Sequence, residues 1–368
     1  MTVTANGTSI PRVERPAAPP SERFLGMRIT PLTRRRLHAF RRNGRGFWSL
    51  WIFLSIFILS LFAELWCNDK PLVVQYDGHL YFPAFQYYPE TTFGGFFETE
   101  ADYRDPYVAE LIDTSGGWMV WPPVRFDYST VNYNLRGPTP SPPSADNWLG
   151  TDDQARDVVA RVVYGIRLNV LFGFTVVIFS SIVGVLVGAT SGFWLGWYDL
   201  LFQRFMEVWG SVPTLYVIII IASVITPGFW VLLGIFMLFA WMGIVDPVRA
   251  EFIRARSFDY VRAAQALGVS DFKVMFKHMF PNAMITVVTT LPFALSGSVT
   301  LLSGLDFIGY GLPVGSPSLG ELILQARNNL YAPWLGFTAF MTLGTLLTLL
   351  VFVGEGVRDA FDPRKTMQ

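Results

Sequence analysis

Six long apolar stretches recur along this chain, at 47–66, 168–193, 208–225, 229–245, 283–305 and 335–354. About 20 apolar residues coiled as a helix match the hydrocarbon thickness of a bilayer. Lipid offers the backbone no hydrogen-bond partners, so a spanning segment must satisfy its own, and a helix does so. The pattern therefore predicts an all-α polytopic membrane protein with six transmembrane helices. Composition agrees, with 52% hydrophobic and 15% charged residues and a mean hydropathy of +0.39, which argues against an ordinary soluble globule.

Charge then orients the spans. Residues 1–46 carry ten arginines, from Arg12 to Arg45, against Glu14 and Glu22. Such a flank stays in the cytoplasm, which puts the amino terminus inside. With Pro16, Pro19 and Pro20, the segment reads as a disordered basic cytoplasmic tail whose charge is topogenic, not a nucleic-acid patch. The first stretch, 47–66, is too long for a cleaved leader and lacks a small-residue cleavage site, so it reads as a retained anchor. Six spans return the carboxyl end, 358–368, to the same side. Arg249, Arg254, Arg256, Arg262, Lys273 and Lys277 put the 246–281 loop there too. Both termini are expected in the cytoplasm, and the membrane is expected to be a bacterial inner membrane.

Between the first two spans, 67–160 is acidic, aromatic and rich in Pro and Gly. Strand-like pieces at Leu72–Val74 and Leu80–Phe82 alternate with turn clusters. A loop this long is usually folded or functional, so it is expected to be a small extracytoplasmic subdomain of mixed, α/β-poor character. The remaining core, 161–357, carries five spans. Gly184, Gly188 and Gly192 lie at i, i+4 and i+8, and Gly297 and Gly304 lie on the fifth span. Small faces of this kind let helices approach closely. Pro213 and Pro292 are expected to kink or break their helices.

The loop 250–281 is the part of the chain with most to say about function. It reads FDYVRAAQALGVSDFKVMFKHMFP from Phe258 to Pro281. Val261, Ala263, Ala264 and Leu267 would give a short helix a small apolar side, and Gly268 would end it. Ser270 or Asp271 could cap a second helix. In that second helix Phe272, Met275, Phe276, Met279 and Phe280 form a stripe at i, i+3, i+4, i+7 and i+8, expected to lie against the membrane bundle.

Other chemistry is poorly represented. There is no GxxxxGK[ST], and none of Lys70, Lys273, Lys277 and Lys365 follows a glycine, so the chain is not a P-loop ATPase. There is no HExxH or CxxC, and His38, His79 and His278 are scattered, so no metal site and no catalytic residue is assigned. Cys67 is the single cysteine. Asp152, Asp153 and Asp157 could form a metal or acid–base site, but aspartates near a helix start favour N-capping and a solvent-facing position. Glu207, Asp306 and Glu355 sit at predicted span ends, as interfacial anchors or substrate contacts.

These motifs resemble those of ABC-importer permeases of the dipeptide and oligopeptide group, in particular its C-type subunit. Ala263, Ala264, Gly268 and Pro281 match the family's EAA signature, with Arg262 where the signature has its leading acid. The run from Asn147 to Val170 resembles the group's element before the second span, with Ala155 in place of a glycine. Ser303 to Trp334 resembles its outer loop between spans five and six. The insert from Phe93 to Val108 resembles the Yej branch, whose members import peptides including microcin C-type peptide-nucleotides.

The resemblance implies a type I importer fold and a non-catalytic permease subunit. Its partners would be a homologous second permease, two P-loop nucleotide-binding subunits that hold ATP and magnesium, and an extracytoplasmic peptide-binding protein. Asp259, Tyr260, Arg262, Ala263, Ala264, Leu267, Gly268 and Pro281 would form the coupling helix that seats in a groove of an ATPase. Asp152, Asp153, Arg156, Asp157, Ser316 and Pro317 would meet the binding protein. Thr286, Thr289, Thr290, Ser296 and Ser298 on span five would line the pathway, although helix–helix hydrogen bonds explain them equally well. Rival readings are an importer for a non-peptide solute such as nickel, a stand-alone channel or secondary transporter, and a membrane-anchored enzyme.

Overall fold

The computed structural model describes residues 23–24, 27–28, 31–135, 137–225 and 227–362. The basic positions Arg12 and Arg15, and Arg364 and Lys365 at the other end, lie outside the described residues. Two short strands, β1 (Arg23–Phe24) and β2 (Met27–Arg28), pair antiparallel ahead of helix α1 (Pro31–Arg42). The expectation of a wholly disordered tail therefore fails over 31–42. That stretch packs on the end of the last helix, with the Arg36 guanidinium 4.6 Å above the Phe361 ring.

Helix α2 (Gly44–Leu61) starts from Asn43, whose side chain accepts the Gly46 N–H at 3.1 Å. It crosses the last helix where two glycines meet: a Cβ at Gly46 would lie 2.8 Å from Gly356 Cα. A short turn, α3 (Ala63–Trp66), leads into the subdomain. There β3 (Val73–Tyr76) lies between β4 (His79–Tyr81) and β5 (Trp118–Val120), with Val74 opposite both Tyr81 and Met119. Asp77 and Gly78, both at positive φ, make the tight hairpin between β3 and β4, a turn the Asp-Gly pair favours. Helix α4 (Pro106–Thr114), capped by Asp105, packs Val108 and Ile112 onto the inner face of this sheet with Val74 and Phe93.

Helix α5 (Val158–Trp194) runs unbroken for 37 residues. It ends at Leu195 and Gly196, both at positive φ. The expected third span is interrupted at Pro213, as expected there: α6 (Gly196–Gly210) and α7 (Thr214–Val224) meet at 56° on either side of it. Helices α8 (Phe229–Ala240) and α9 (Met242–Arg256) form the fourth apolar run. After α10 (Asp259–Ala266) and α11 (Asp271–Lys273), a π-helical turn over Val274–Met279 feeds α12 (Phe280–Ile308). Of the two outcomes expected at Pro292, a kink or a break, the break does not occur: the residue lies inside the continuous α12. A proline can stay within a membrane helix when neighbouring groups compensate for its missing bond. Helix α13 (Leu319–Asn328) and the closing α14 (Pro333–Phe361) complete the chain.

Five of these helical runs are long and apolar enough to cross a membrane, and the bent pair makes a sixth if it is one span. The protein is an all-α membrane bundle with a small, sheet-poor subdomain between its first two spans.

The glycine stripe of α5 has a specific partner. Cβ atoms at Gly184, Gly188 and Gly192 would each fall 2.6 Å from a carbonyl oxygen of the facing chain, those of Trp241, Val245 and Arg249. Small residues at i, i+4 and i+8 thus bring α5 and α9 into near backbone contact. Asp199 of α6 then clamps α9 by accepting two bonds from Arg249, at 2.6 and 2.5 Å.

Candidate functional site

Two features stand out, one at each end of α5. At the far end, α10 rests on the bundle through Val261 and Ala264, which are buried with Phe252 and Ala255 of α9 and with Val274, Met275 and Met279. Its other side is uncovered. Asp259, Tyr260, Arg262, Ala263, Gln265 and Ala266 are exposed, and Leu267 is 83% exposed. The four residues expected on one apolar side are therefore divided. Positions 261 and 264 share the inward face, and 263 and 267 share the outward one, as a 3.6-residue period requires.

The turn closing α10 follows from Gly268. At φ +74 it donates to Gln265 O, while Val269 N donates to Ala264 O at 3.1 Å. This pair of bonds is a Schellman closure, which needs a left-handed residue where Gly268 stands. Ser270 precedes α11 but makes no side-chain cap bond. The phenylalanine stripe is also corrected. Met275 and Met279 pack inward, whereas Phe272 is 63% exposed and stacks on Phe276 outside, ring centroids 5.2 Å apart. The π-helical turn shifts the register, so Val274 takes the inward place. Tyr260 ties α10 to α12 by accepting the Asn282 amide at 2.8 Å, beside the exposed Pro281. The outward surface is thus apolar at its knobs and basic at its edge, with Arg254, Arg262, Lys273 and Lys277 exposed.

At the near end of α5 lies a buried ion lattice. Asp152, Arg156 and Asp157 are buried, which corrects their placement on a solvent-facing or partner-facing surface. Arg156 donates to Asp152 at 2.7 Å and lies 3.4 Å from Glu321. Arg161, which is 0% exposed, reaches Glu321 at 3.0 Å and donates to Ser316 O at 2.8 Å. Gln325 donates to Glu321 at 3.2 Å. Two guanidinium groups thus neutralise two carboxylates, the condition for keeping such charges out of water.

Asp157 stands apart. It caps α5 through Ala160 N at 2.9 Å and accepts the Asn147 amide at 2.8 Å. Burial pushes its carboxyl pKa up, and those two bonds oppose the shift. Of the six positions expected at the outer surface, Asp153 is exposed and Ser316 and Pro317 are half-buried. Arg161, Glu321 and Gln325 were not legible as a group. Their only local signal is the i, i+4 spacing of Glu321 and Gln325, and Arg161 is 160 residues from Glu321 in sequence.

Along α12, Thr286, Thr289, Thr290, Ser296 and Ser298 are half-buried. Thr289 donates to Thr286 O at 2.8 Å, Thr290 to Val287 O at 2.8 Å and Ser298 to Ala294 O at 3.0 Å. Their protons are used within the helix, which leaves only oxygen acceptors outward. A neighbouring strip is bare: Gly297, Thr300, Leu301 and Gly304 are exposed, and a Cβ at either glycine would meet nothing within 4 Å. Asp306, expected as an interfacial anchor or substrate contact, is buried and accepts from Ser318 Oγ and from Leu312 N at 2.6 Å. It holds the loop after α12. Among the described residues no group of three or more His, Cys, Asp or Glu side chains could hold a metal ion.

A bundle of five or six apolar spans with an uncovered helix at one end and a clamped loop at the other is the frame in which comparisons with known proteins place the chain. Residues 184–367 match the family model of the binding-protein-dependent transport system inner membrane component, and the chain belongs to that family. It is the permease subunit of an ABC importer, a multi-pass protein of the inner membrane. It is 54% identical over 340 residues to the inner membrane ABC transporter permease protein YejE of Escherichia coli, covering 92% of this chain and 99% of that one. It is 52% identical over 364 residues to the peptidoglycan transport system permease protein YejE of Agrobacterium fabrum, covering 92% and 95%. The oligopeptide transport system permease protein OppC of Lactococcus lactis is 32% identical over 240 residues, covering 64% and 81%.

Proposed function

We propose that this chain carries peptides, including peptide-bearing cell-wall fragments, into the cell as one half of a two-permease pathway. Its partners in this reading are a homologous permease, two P-loop nucleotide-binding subunits and an extracytoplasmic peptide-binding protein. ATP and magnesium belong to the nucleotide-binding subunits, and this chain contributes no catalytic residue and no cofactor site. Both termini and α10 face the cytoplasm, and the subdomain faces outward.

The observation that carries the reading is the identity of more than half across 92% of the chain to two permeases of this kind, one named for peptidoglycan transport. The uncovered surface of α10 and the turns that follow it supports the coupling role: Ala263, Leu267 and Phe272 offer apolar knobs that fit a groove, and Arg262, Lys273 and Lys277 suit an acidic rim. The bare strip of α12 at Gly297 and Gly304 is where the second permease would pack, because small residues admit a close helix. Closure of the ATPases would then push α10, which is keyed to α9 and α12 through Val261, Ala264 and Tyr260, and rock the bundle between its outward and inward openings.

The test is purification of the chain in mild detergent, identification of what comes with it, and ATP-driven uptake in proteoliposomes. Recovery of a second permease and P-loop ATPases, with uptake of labelled oligopeptide when the binding protein is added, is the expected result. A chain that purifies alone, or moves solute without ATPases, would overturn the reading in favour of a channel.

A further inference from the structure

We propose that Arg161 is the positioning residue that makes the outer loop before α13 move as one body with α5, so that contact at this loop is relayed along α5 to α10. The proposal rests on the importer reading above, which supplies the binding protein at one end and the ATPase at the other.

Three joints carry it. The first is the lattice itself. Arg161 sits in the opening turns of α5, yet its guanidinium bonds to segments remote in sequence: Ser316 O at 2.8 Å, Gly315 O at 3.3 Å and Tyr128 O at 3.4 Å. Its Nε also lies 3.3 Å from Asp152 and its Nη2 3.0 Å from Glu321 of α13. The loop that would meet the binding protein through Ser316 and Pro317 is therefore fastened by its own backbone to α5. A planar fork with five donors can do this, and a lysine cannot.

The second joint is the rod. Helix α5 is continuous for 37 residues, roughly 55 Å at about 1.5 Å per residue. By contrast, the neighbouring pair α6 and α7 is bent by 56°.

The third joint is at the far end, where a Cβ on Gly192 would meet Arg249 O at 2.6 Å and Phe252 Cβ at 2.7 Å. Val185, Ala189 and Phe193 of α5 belong to the same buried cluster as Val261 and Ala264 of α10. Close-packed interiors transmit a displacement instead of absorbing it. A shift of the outer loop thus reaches the seat of α10 without passing through a flexible segment.

The experiment uses the full complex in lipid nanodiscs and compares its ATPase rate alone with the rate in the presence of the binding protein loaded with a synthetic oligopeptide. Arg161→Lys keeps the charge and removes the fork, and Glu321→Gln removes one of its anchors without changing shape. The expected result for both is a basal rate like wild type, retained capture of the loaded binding protein, and stimulation reduced by about tenfold, within the range of measured site-to-site couplings. Wild-type stimulation in both variants overturns the proposal. So does a loss of basal and stimulated rates in equal proportion in an assembled complex, because that is a folding role alone. If Arg161→Lys fails to assemble, Glu321→Gln decides by the same ratio. Failure of the importer reading looks different, since the wild-type complex itself would then lack ATPase subunits or stimulation.

Discussion

Gly188 of α5 lies so near α9 that a side-chain carbon there would stand 2.6 Å from the carbonyl oxygen of Val245. The facing atom is backbone, so it cannot turn aside as a side chain would. Gly184 and Gly192 repeat the relationship one turn to either side, against Trp241 and Arg249. Three such contacts in a row leave this helix pair no room to separate or take a side chain between them.

Gly188→Val is therefore expected to destabilise the chain by about 1–3 kcal/mol or more, the usual cost of overpacking, through forced separation of α5 and α9. The matched substitution Gly297→Val meets open space within this chain. It should leave the isolated subunit's thermal unfolding within about 0.5 kcal/mol of wild type, as ordinary surface changes do. Unfolding of both variants in detergent checks the contrast, and equal losses would mean that the stripe is not the tighter packing site.

The surface of α10 makes a second prediction. Leu267→Asp puts a charge on an exposed knob that packs against nothing in this chain, so the fold should survive and the ATPase should be lost from the purified complex. Ala264→Trp acts from the other side, because Ala264 is buried against α9 and the π-helical turn. It should displace the helix itself and abolish peptide uptake while the chain remains in the membrane. Immunodetection of the chain with co-purified ATPase, read beside uptake, separates the two effects.

Gly268→Ala tests the closure of the same helix. A Cβ at φ +74 carries a penalty of about 1–2 kcal/mol even in the open space around it. Uptake is expected to fall severalfold, and Gly268→Asn, which tolerates the left-handed region better, should retain more of it. Equal uptake by all three would show that the turn does not need this geometry.

Cys67 makes a chemical prediction. It is buried, and burial together with the negative charge of Asp157 pushes its thiol pKa up to about 12. At pH 8 almost none of it is thiolate, the reactive form. Maleimide added to the native protein should leave it unmodified and label it fully after denaturation, as mass spectrometry would read directly. Rapid labelling of the native chain would show that the joint between α3 and α5 opens.

Several features were legible from local sequence. The apolar stretches, the acidic subdomain with its strand-like pieces near β3 and β4, and the turn at Gly268 each depend on residues a few positions apart. The limits of that legibility show in the same places. Pro213 marks a break in the stretch at 208–225, but not the 56° angle between α6 and α7 or the helix that precedes it, because hydropathy measures solubility and not direction. The helical period divides Val261 and Ala264 from Ala263 and Leu267, but only the bundle chooses which half is covered. Likewise, the sequence around Phe272 carries no sign of the π-helical turn that moves Phe272 and Phe276 outward.

The sequence by itself determined that the chain lives in lipid, where its long apolar helices lie, and which loop carries a short helix closed by Gly268, because periodicity, hydropathy and turn chemistry are local. Only the tertiary structure decided that Asp152, Arg156 and Arg161 are buried with Glu321 instead of facing water, and that the α5 glycines are filled by α9 while those of α12 stand bare. Both facts depend on segments far apart in sequence coming together: a charge can be buried only where its counter-charge arrives, and a small residue shows what it is for only when a neighbour fills the space beside it.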